Sequence, residues 1–371
     1  MISAKVIADS KNEFGNRITT MVLTFPRYIL AELNTHRMMS RNSASSRAIP
    51  YEKLLKSVQE NPFIPIAWMK DHKGMQGTEY HTSSTDIEIL NNIWLTSRND
   101  AIQMSTKLSE NNVTKQLCNR LLEPYMWHTV IVTATEWENF FYLRCPKYSL
   151  FSENMPMEFR SRKDLLKYVH HVEAPEFKNQ YDDMTDLGWL SCNKGQADIH
   201  MMALAEAMWD AYNESEPKEL KAGEWHIPFG DKIDGIVMNG IEIDFNTGLS
   251  SKGETALEQI NSKMIKIATA RCARVSYTVV GEEGKPDNYD NDIKLHDRLV
   301  ESGHMSPFEH CAKAMNKEEY KINVNGKCDI DTYGGTFSCT DAHPLKDSLG
   351  WSGNFKGFIQ DRKTLANENR I

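Results

Sequence analysis

The chain has 371 residues, 40% apolar and 25% charged, the balance of a globular protein able to bury a core rather than of a disordered one. A formal net charge of -8 excludes a protein whose main task is to coat nucleic acid, because neutralising phosphates needs a basic surface. The longest apolar stretches, such as residues 126–134, fall far short of the ~20 residues that span a bilayer, and the opening MISAK is no signal peptide, so a cytoplasmic protein is expected.

Residues 4–8 and 18–25 cluster β-formers on either side of Gly15 and predict two strands joined by a turn, with Pro26 ending the second. From 27 to 38, Ile29, Leu30, Leu33 and Met38 fit one side of a helix. The polar stretch after it, residues 40–47, is too polar for a core and rich in anion-binding groups. Helical spacing returns over 86–108, then over 113–122, where Pro124 closes the segment. A β-rich run over 127–135 leads into a helix over 136–144 that brings Asn139 and Arg144 near one another and stops at Pro146.

Length is only a prior on domain count, and we expect a single elaborated catalytic domain over residues 1–371. Residues 145–195 lose regular patterning and read as an insertion folded onto the surface. A helix resumes over 196–212, and residues 230–252 read as a second insertion, a hairpin turning at Asn239-Gly240. Helices follow over 255–273 and 292–302, and the last forty residues are glycine-rich and irregular. Seven scattered cysteines without a C-x-x-C pair suggest neither a disulfide framework nor a zinc ribbon. His296, His304, His310 and Cys311 fit no zinc spacing, so no metal is expected.

Chemistry concentrates in three blocks. In the first, His36-Arg37-x-x-Ser40-x-Asn42-x-x-Ser45-x-Arg47, arginine forks suit phosphate or carbonyl oxygens, and serine and asparagine offer short hydrogen bonds. A solvated turn with the same residues capping backbone groups is the competing reading. The second block holds Asn119-Arg120 and Glu123-Pro124, then Glu136, Asn139 and Arg144. An amphipathic helix with outward arginines is its plainer alternative. The third holds Ala270-Arg271-Cys272-Ala273-Arg274-Val275-Ser276-Tyr277 and Gly303-His304-Met305-Ser306-Pro307-Phe308-Glu309-His310.

These blocks resemble the signatures of the flavin-dependent thymidylate synthases: R-H-R-x-x-S-x-N-E-x-S-x-R, the phosphate- and pyrimidine-facing arginines, and A-A-R-V-S-F with G-H-x-S-P-F-E-H. Here the third block follows the first instead of preceding it, and the shifted order suggests a circular permutation. Thr35 replaces the first arginine of the signature, Ser43 its glutamate, and Glu32 a frequent glutamine. Lys194-Gly195-Gln196 stands where the family has His-Ala-Gln, and Gln360-Asp361-Arg362-Lys363 in the tail is a candidate substitute for the missing groups near Thr35, with a plain surface tail as the alternative.

The resemblance implies an α/β (α+β) fold with a mixed sheet and long helices, a homotetramer with shared active sites, and methylation of dUMP to dTMP. Methylenetetrahydrofolate would supply the carbon, and FAD reduced by NADPH the hydride. It assigns the flavin to His36, Arg37, Asn42, Asn139, His304, Ser306 and Glu309. The nucleotide falls to Arg120, Ser45, Arg47 and Arg144. Arg144 would stabilise charge on the pyrimidine, and Ser45 is a candidate nucleophile that has no base beside it in the sequence. Two alternatives stay open: a flavin-dependent hydroxymethylase or methylase of another pyrimidine nucleotide, and a non-catalytic nucleotide- or RNA-binding protein.

Overall fold

The computed structural model describes residues 1–73, 77, 79–150, 157–171, 181–233, 241, 244, 247–277, 288–322 and 351–365. The hairpin expected around Asn239-Gly240 lies outside them. The strands run in chain order as β1 (Ser3–Asn12), β2 (Arg17–Pro26), β3 (Ser40–Ser43), β4 (Trp127–Ala134), β5 (Tyr148–Leu150) and β6 (Met157–Phe159). They continue as β7 (Lys218–Leu220), β8 (Trp225–His226), β9 (Ala312–Ala314), β10 (Trp351–Ser352), β11 (Phe355–Lys356) and β12 (Phe358–Gln360).

β1 and β2 form the expected antiparallel pair, and Gly15 at φ +83° makes the turn because only glycine takes that conformation without steric cost. β2 then pairs with β4, and the main sheet has the order β3-β4-β2-β1-β7. All its pairings are antiparallel except that of β1 with β7, so the sheet is mixed.

Alternation along the central strands sends side chains into two cores. Met21, Leu23, Phe25, Val130, Val132 and Ala134 face the helices Glu138–Arg144 and Ile199–Glu214, meeting Phe140, Phe141, Met201, Leu204 and Met208. Val22 and Ile131 face the opposite way, toward Leu54 and Val58 of Tyr51–Glu60 and Cys272 of Ala256–Arg274. Helices thus cover both faces, which explains why β2 and β4 are almost wholly buried. Each such aliphatic or phenyl side chain contributes about 1.5–3 kcal/mol of burial.

Four local expectations change. The segment expected as a helix over 113–122 closed by Pro124 is one α turn (Lys115–Cys118) followed by a 3-10 helix (Asn119–Tyr125) that contains the proline. The helix after β2 is only a 3-10 turn (Arg27–Ile29) and one α turn (Leu30–Leu33), and it ends before His36. Residues 40–43 are not loop but strand β3, with Ser40 opposite Thr133 and Asn42 opposite Ile131. Pairing β3 with β4 satisfies backbone groups that a solvated turn would leave to water, and it buries Ser40 and Asn42 despite their polarity. Residues 145–195 also hold more order than their patterning predicts. The β5–β6 hairpin and the helices Arg162–His171 and Asp186–Cys192 enclose a small core of Tyr148, Leu165, Val169, Tyr181 and Trp189.

A buried ion pair clamps the helix that carries Arg271 and Arg274 to the helix that leads into Gly303. Asp292, on the helix Tyr289–Ser302, lies 2.8 Å from Arg274 Nη2 and 3.7 Å from Arg271 Nε, both on Ala256–Arg274. Removing one partner of such a pair strands the other's charge, so Asp292→Ala should cost about 3–5 kcal/mol, read as a drop in urea midpoint.

A second buried polar system crosses the sheet. Ser10 Oγ meets His226 Nδ1 at 2.9 Å, His226 Nε2 meets Thr20 Oγ1 at 2.8 Å, Thr20 Oγ1 meets Thr133 Oγ1 at 2.7 Å, and Thr133 Oγ1 meets His310 Nδ1 at 2.8 Å. A neutral imidazole has one donor and one acceptor nitrogen, which suits His226 between two hydroxyls; an imidazolium has two donors and no acceptor. Burial pushes the histidine pKa values of His226, His310 and His128 down to about 3.

Unfolded, these histidines titrate near 6.5. Between that value and about 3 the unfolded chain binds more protons than the folded one, so their contribution is complete above pH 6.5 and is lost as pH falls. The loss should reach on the order of 1 kcal/mol per histidine per pH unit. Urea titrations at pH 7.5, 6 and 5 should show midpoints that fall progressively, and His226→Gln should flatten that dependence.

Candidate functional site

The three blocks converge on β3 and the loops at its ends. The 3-10 turn Ser306–Glu309 packs on β3, and His310 at its end is tied to β4 through Thr133. From the other part of the third block, Ser276 O accepts from Ser45 N at 3.1 Å, and Cys272 O from Asn42 Nδ2 at 3.3 Å. From the second block, Arg144 reaches the first through His36. Residues nearly three hundred positions apart thereby form one surface.

Arg144 Nε donates to His36 Nε2 at 3.0 Å, so that nitrogen holds the lone pair and the ring proton sits on Nδ1. Burial first, then the charges of Arg144 and Arg41, push the His36 pKa down to about 4, consistent with a neutral acceptor. The Arg144 Nη1 to Glu32 Oε2 separation of 3.9 Å is too long for a hydrogen bond. Of the five guanidinium N–H groups, only the one on Nε is committed to His36, and the Nη edge can meet a planar ligand. Burial, then the charge of Asp198, raises the Glu32 carboxyl pKa, with Arg144 acting against them.

Arg41, which the sequence reading did not single out, closes the loop by donating Nη1 to His36 O at 2.9 Å and Leu33 O at 3.3 Å. Its signal was a basic residue just beyond a helix end, where it can satisfy the last carbonyls.

A second centre surrounds Arg120, whose Nη1 donates to Glu123 Oε1 at 2.8 Å. Ser46 Oγ donates to the same carboxylate, and Arg27 Nη2 lies 3.6 Å from it. Ser43, which replaces the signature's glutamate, hydrogen-bonds His128 Nε2 at 2.7 Å, and Thr35 Oγ1 donates to Glu32 O at 2.7 Å. Both departing side chains are therefore engaged within the fold.

The other expected site residues divide by exposure. Arg37, Arg47, Asn139, His304 and Ser306 are exposed, and His304 Nδ1 contacts Ser302 Oγ at 2.9 Å. Asn139 and Arg144 do not come together as the helix pattern suggested: five residues turn a helix by about 500°, which sets them on different sides, and Arg144 turns to His36. Asn42 is turned inward against the end of Ala256–Arg274, and among the described residues no base hydrogen-bonds Ser45 Oγ.

Glu309 forms an ion pair with Arg362, and Gln360 Nε2 donates to Ser40 Oγ at 3.0 Å. The segment 360–363 is therefore docked on the first and third blocks rather than lying as a surface tail; Gln360 is 3% exposed.

The sequence reading also missed a relay beside the site. Asp198 caps Ile199–Glu214 through His200 N at 2.8 Å and Met201 N at 3.2 Å, and it contacts His200 Nδ1 at 3.2 Å. His200 Nε2 accepts Ile66 N at 3.2 Å, so its proton sits on Nδ1, facing both Asp198 and the Tyr28 hydroxyl oxygen. Tyr28 therefore accepts, and the residue also lines a cavity of about 440 Å³ together with Arg27, Asn34 and Glu123. Asp198→Ala removes a helix cap and the carboxylate partner of His200 together. We expect a loss of about 1–2 kcal/mol, measured by urea denaturation, with Asp198→Asn retaining most of it.

No family model matches the sequence, and no curated protein matches it. Among solved structures, the chain is similar to two crystal structures of a UMP/dUMP methylase, PolB, from Streptomyces cacaoi. The one bound with 5-Br UMP shares 13% identity over 52% of this chain and 96% of that chain, at a TM-score of 0.32. The one bound with 5-Br dUMP shares 10% identity over 52% of this chain and 94% of that chain, at a TM-score of 0.33.

Proposed function

We propose that the chain is an enzyme that alkylates C5 of a uracil mononucleotide, dUMP by preference, with a flavin as hydride source and methylenetetrahydrofolate as carbon donor. The observation that carries this reading is the convergence of three sequence-distant blocks, including the Arg144–His36 hydrogen bond, around β3. Their cyclically shifted order, which we read as a circular permutation, leaves that meeting intact.

Arg144 sits half-buried with its Nε committed to neutral His36, which leaves its Nη groups for a ligand. A fixed cation there stabilises negative charge spreading over the pyrimidine carbonyls as C5 becomes nucleophilic, with little reorganisation at the moment of reaction. Arg120, Ser45 and Arg47 would hold the phosphate end by charge-assisted bonds. Ser45 acts as a binding group, since a serine without a base is a weak nucleophile.

The donor set fits FAD. Arg37, Asn139, His304 and Ser306 present exposed cationic and neutral donors, the groups that suit a dinucleotide's phosphates and ring carbonyls. His36 and Glu309 are half-buried, held by Arg144 and Arg362. When bound, the flavin supplies hydride transfer, recharged by NADPH. Exposure of so many of these groups on a single chain suits a homotetramer with shared sites.

One observation favours a variant of this reading. Ser43 bonds His128 and Thr35 the Glu32 carbonyl of its own turn, so both hydroxyls are engaged where the signature has a glutamate and an arginine. An enzyme with that altered pocket could release a hydroxymethyl product or accept another pyrimidine nucleotide.

Anaerobic turnover of dUMP with NADPH, FAD and methylenetetrahydrofolate, with the product weighed by mass spectrometry, separates these readings. Gain of CH2 supports the thymidylate reaction, and gain of CH2O the hydroxymethyl variant. Absence of turnover with both dUMP and UMP, despite bound flavin, counts against the proposal. Arg144→Lys should lower kcat by about 10²–10³ while flavin absorbance of the purified protein is retained.

A further inference from the structure

Two arginines from separate elements close on one carboxylate. Arg120 Nη1 is 2.8 Å and Arg27 Nη2 3.6 Å from the same Oε1 of Glu123, and Ser46 Oγ donates to that oxygen. Arg27 is held in place: its side chain is 19% exposed, its Nη1 lies 3.3 Å from His128 Nε2, and its backbone N donates to Met126 O. Burial, and the like charge of Arg120, push the Arg27 pKa down, with Glu123 opposing them. The cavity lined by Tyr28, Asn34 and Pro124 opens beside this pair.

A phosphate monoester matches this arrangement better than a carboxylate does. It brings about -1.5 to -2 charges at pH 7 and three strong acceptor oxygens, against a single charge and two oxygens. Two guanidinium forks and a hydroxyl can each take a separate phosphate oxygen, whereas here all three share one carboxylate oxygen.

We propose that Glu123 is a placeholder for the phosphate of a mononucleotide, and that Arg27 is a phosphate ligand alongside Arg120. An incoming phosphate displaces the Glu123 carboxylate from between the two arginines. The identity of the nucleotide rests on the function proposed above; the anion site does not. A nucleoside without phosphate cannot displace the carboxylate, so the exchange selects for the monophosphate. Until it is displaced, the carboxylate competes with the phosphate and so lowers affinity, and it offsets the two like charges of Arg27 and Arg120.

Isothermal titration of the full chain with dUMP, deoxyuridine and inorganic phosphate tests this, using wild type, Glu123→Gln, Arg27→Met and Arg27→Lys. Circular dichroism establishes that each variant is folded. Removing the competing charge should tighten dUMP and phosphate binding by about tenfold in Glu123→Gln, and Arg27→Met should weaken both by about tenfold or more. Arg27→Lys should fall between, and deoxyuridine should be indifferent to all three. Unchanged or weaker phosphate binding in Glu123→Gln overturns the proposal, as does failure of either anion to bind any folded variant. If inorganic phosphate responds as expected while dUMP binds no better than phosphate, the anion site stands and the pyrimidine reading fails.

Discussion

The buried chain of hydroxyls and imidazoles through the main sheet is the constraint on which the site depends. Thr133 on β4 bonds Thr20 on β2 and His310 at the end of the Ser306–Glu309 turn, and it stands in register with Ser40 on β3. One side chain therefore sets the position of the third block relative to the first. Because Thr20, Thr133, His226 and His310 are fully buried, each must find a partner or carry a desolvation cost of about 1–3 kcal/mol. Burial holds its imidazoles neutral, which ties the geometry around the network to the protonation state of fully buried groups.

Around that frame the arginines are held by different means, which suits different tasks. Arg271 and Arg274 are spent on the buried Asp292 and serve to join two helices. Arg41 is spent on backbone carbonyls and shapes the loop that carries His36. Arg144 is oriented through one nitrogen by a neutral histidine, and Arg27 and Arg120 share the carboxylate of Glu123. Arg144, Arg27 and Arg120 combine orientation with remaining hydrogen-bond capacity.

The departures from the signature also acquire a physical reading. Ser43 in place of glutamate leaves room for contact with His128, which in turn faces Arg27. Thr35 ends its helical turn by bonding Glu32 O instead of extending a cation. The docked 360–363 segment places Arg362 beside Glu309.

What the amino-acid sequence determined by itself was local. The β1–β2 pair, β4, and the helices Ser84–Glu110, Ile199–Glu214 and Ala256–Arg274 were legible because each repeats its apolar residues at its own period and carries its own turn or cap signal. The residue types of the site were legible for the same reason, as motifs of short span. Tertiary structure alone decided that residues 40–43 are a strand, since a four-residue polar segment becomes one only by pairing with β4, ninety positions away. It alone brought Arg27 to Glu123, His200 to Tyr28 and His310 to Thr133. Such contacts leave no periodic trace, because a hydrogen bond constrains the distance between two atoms and not the separation of their residues along the chain.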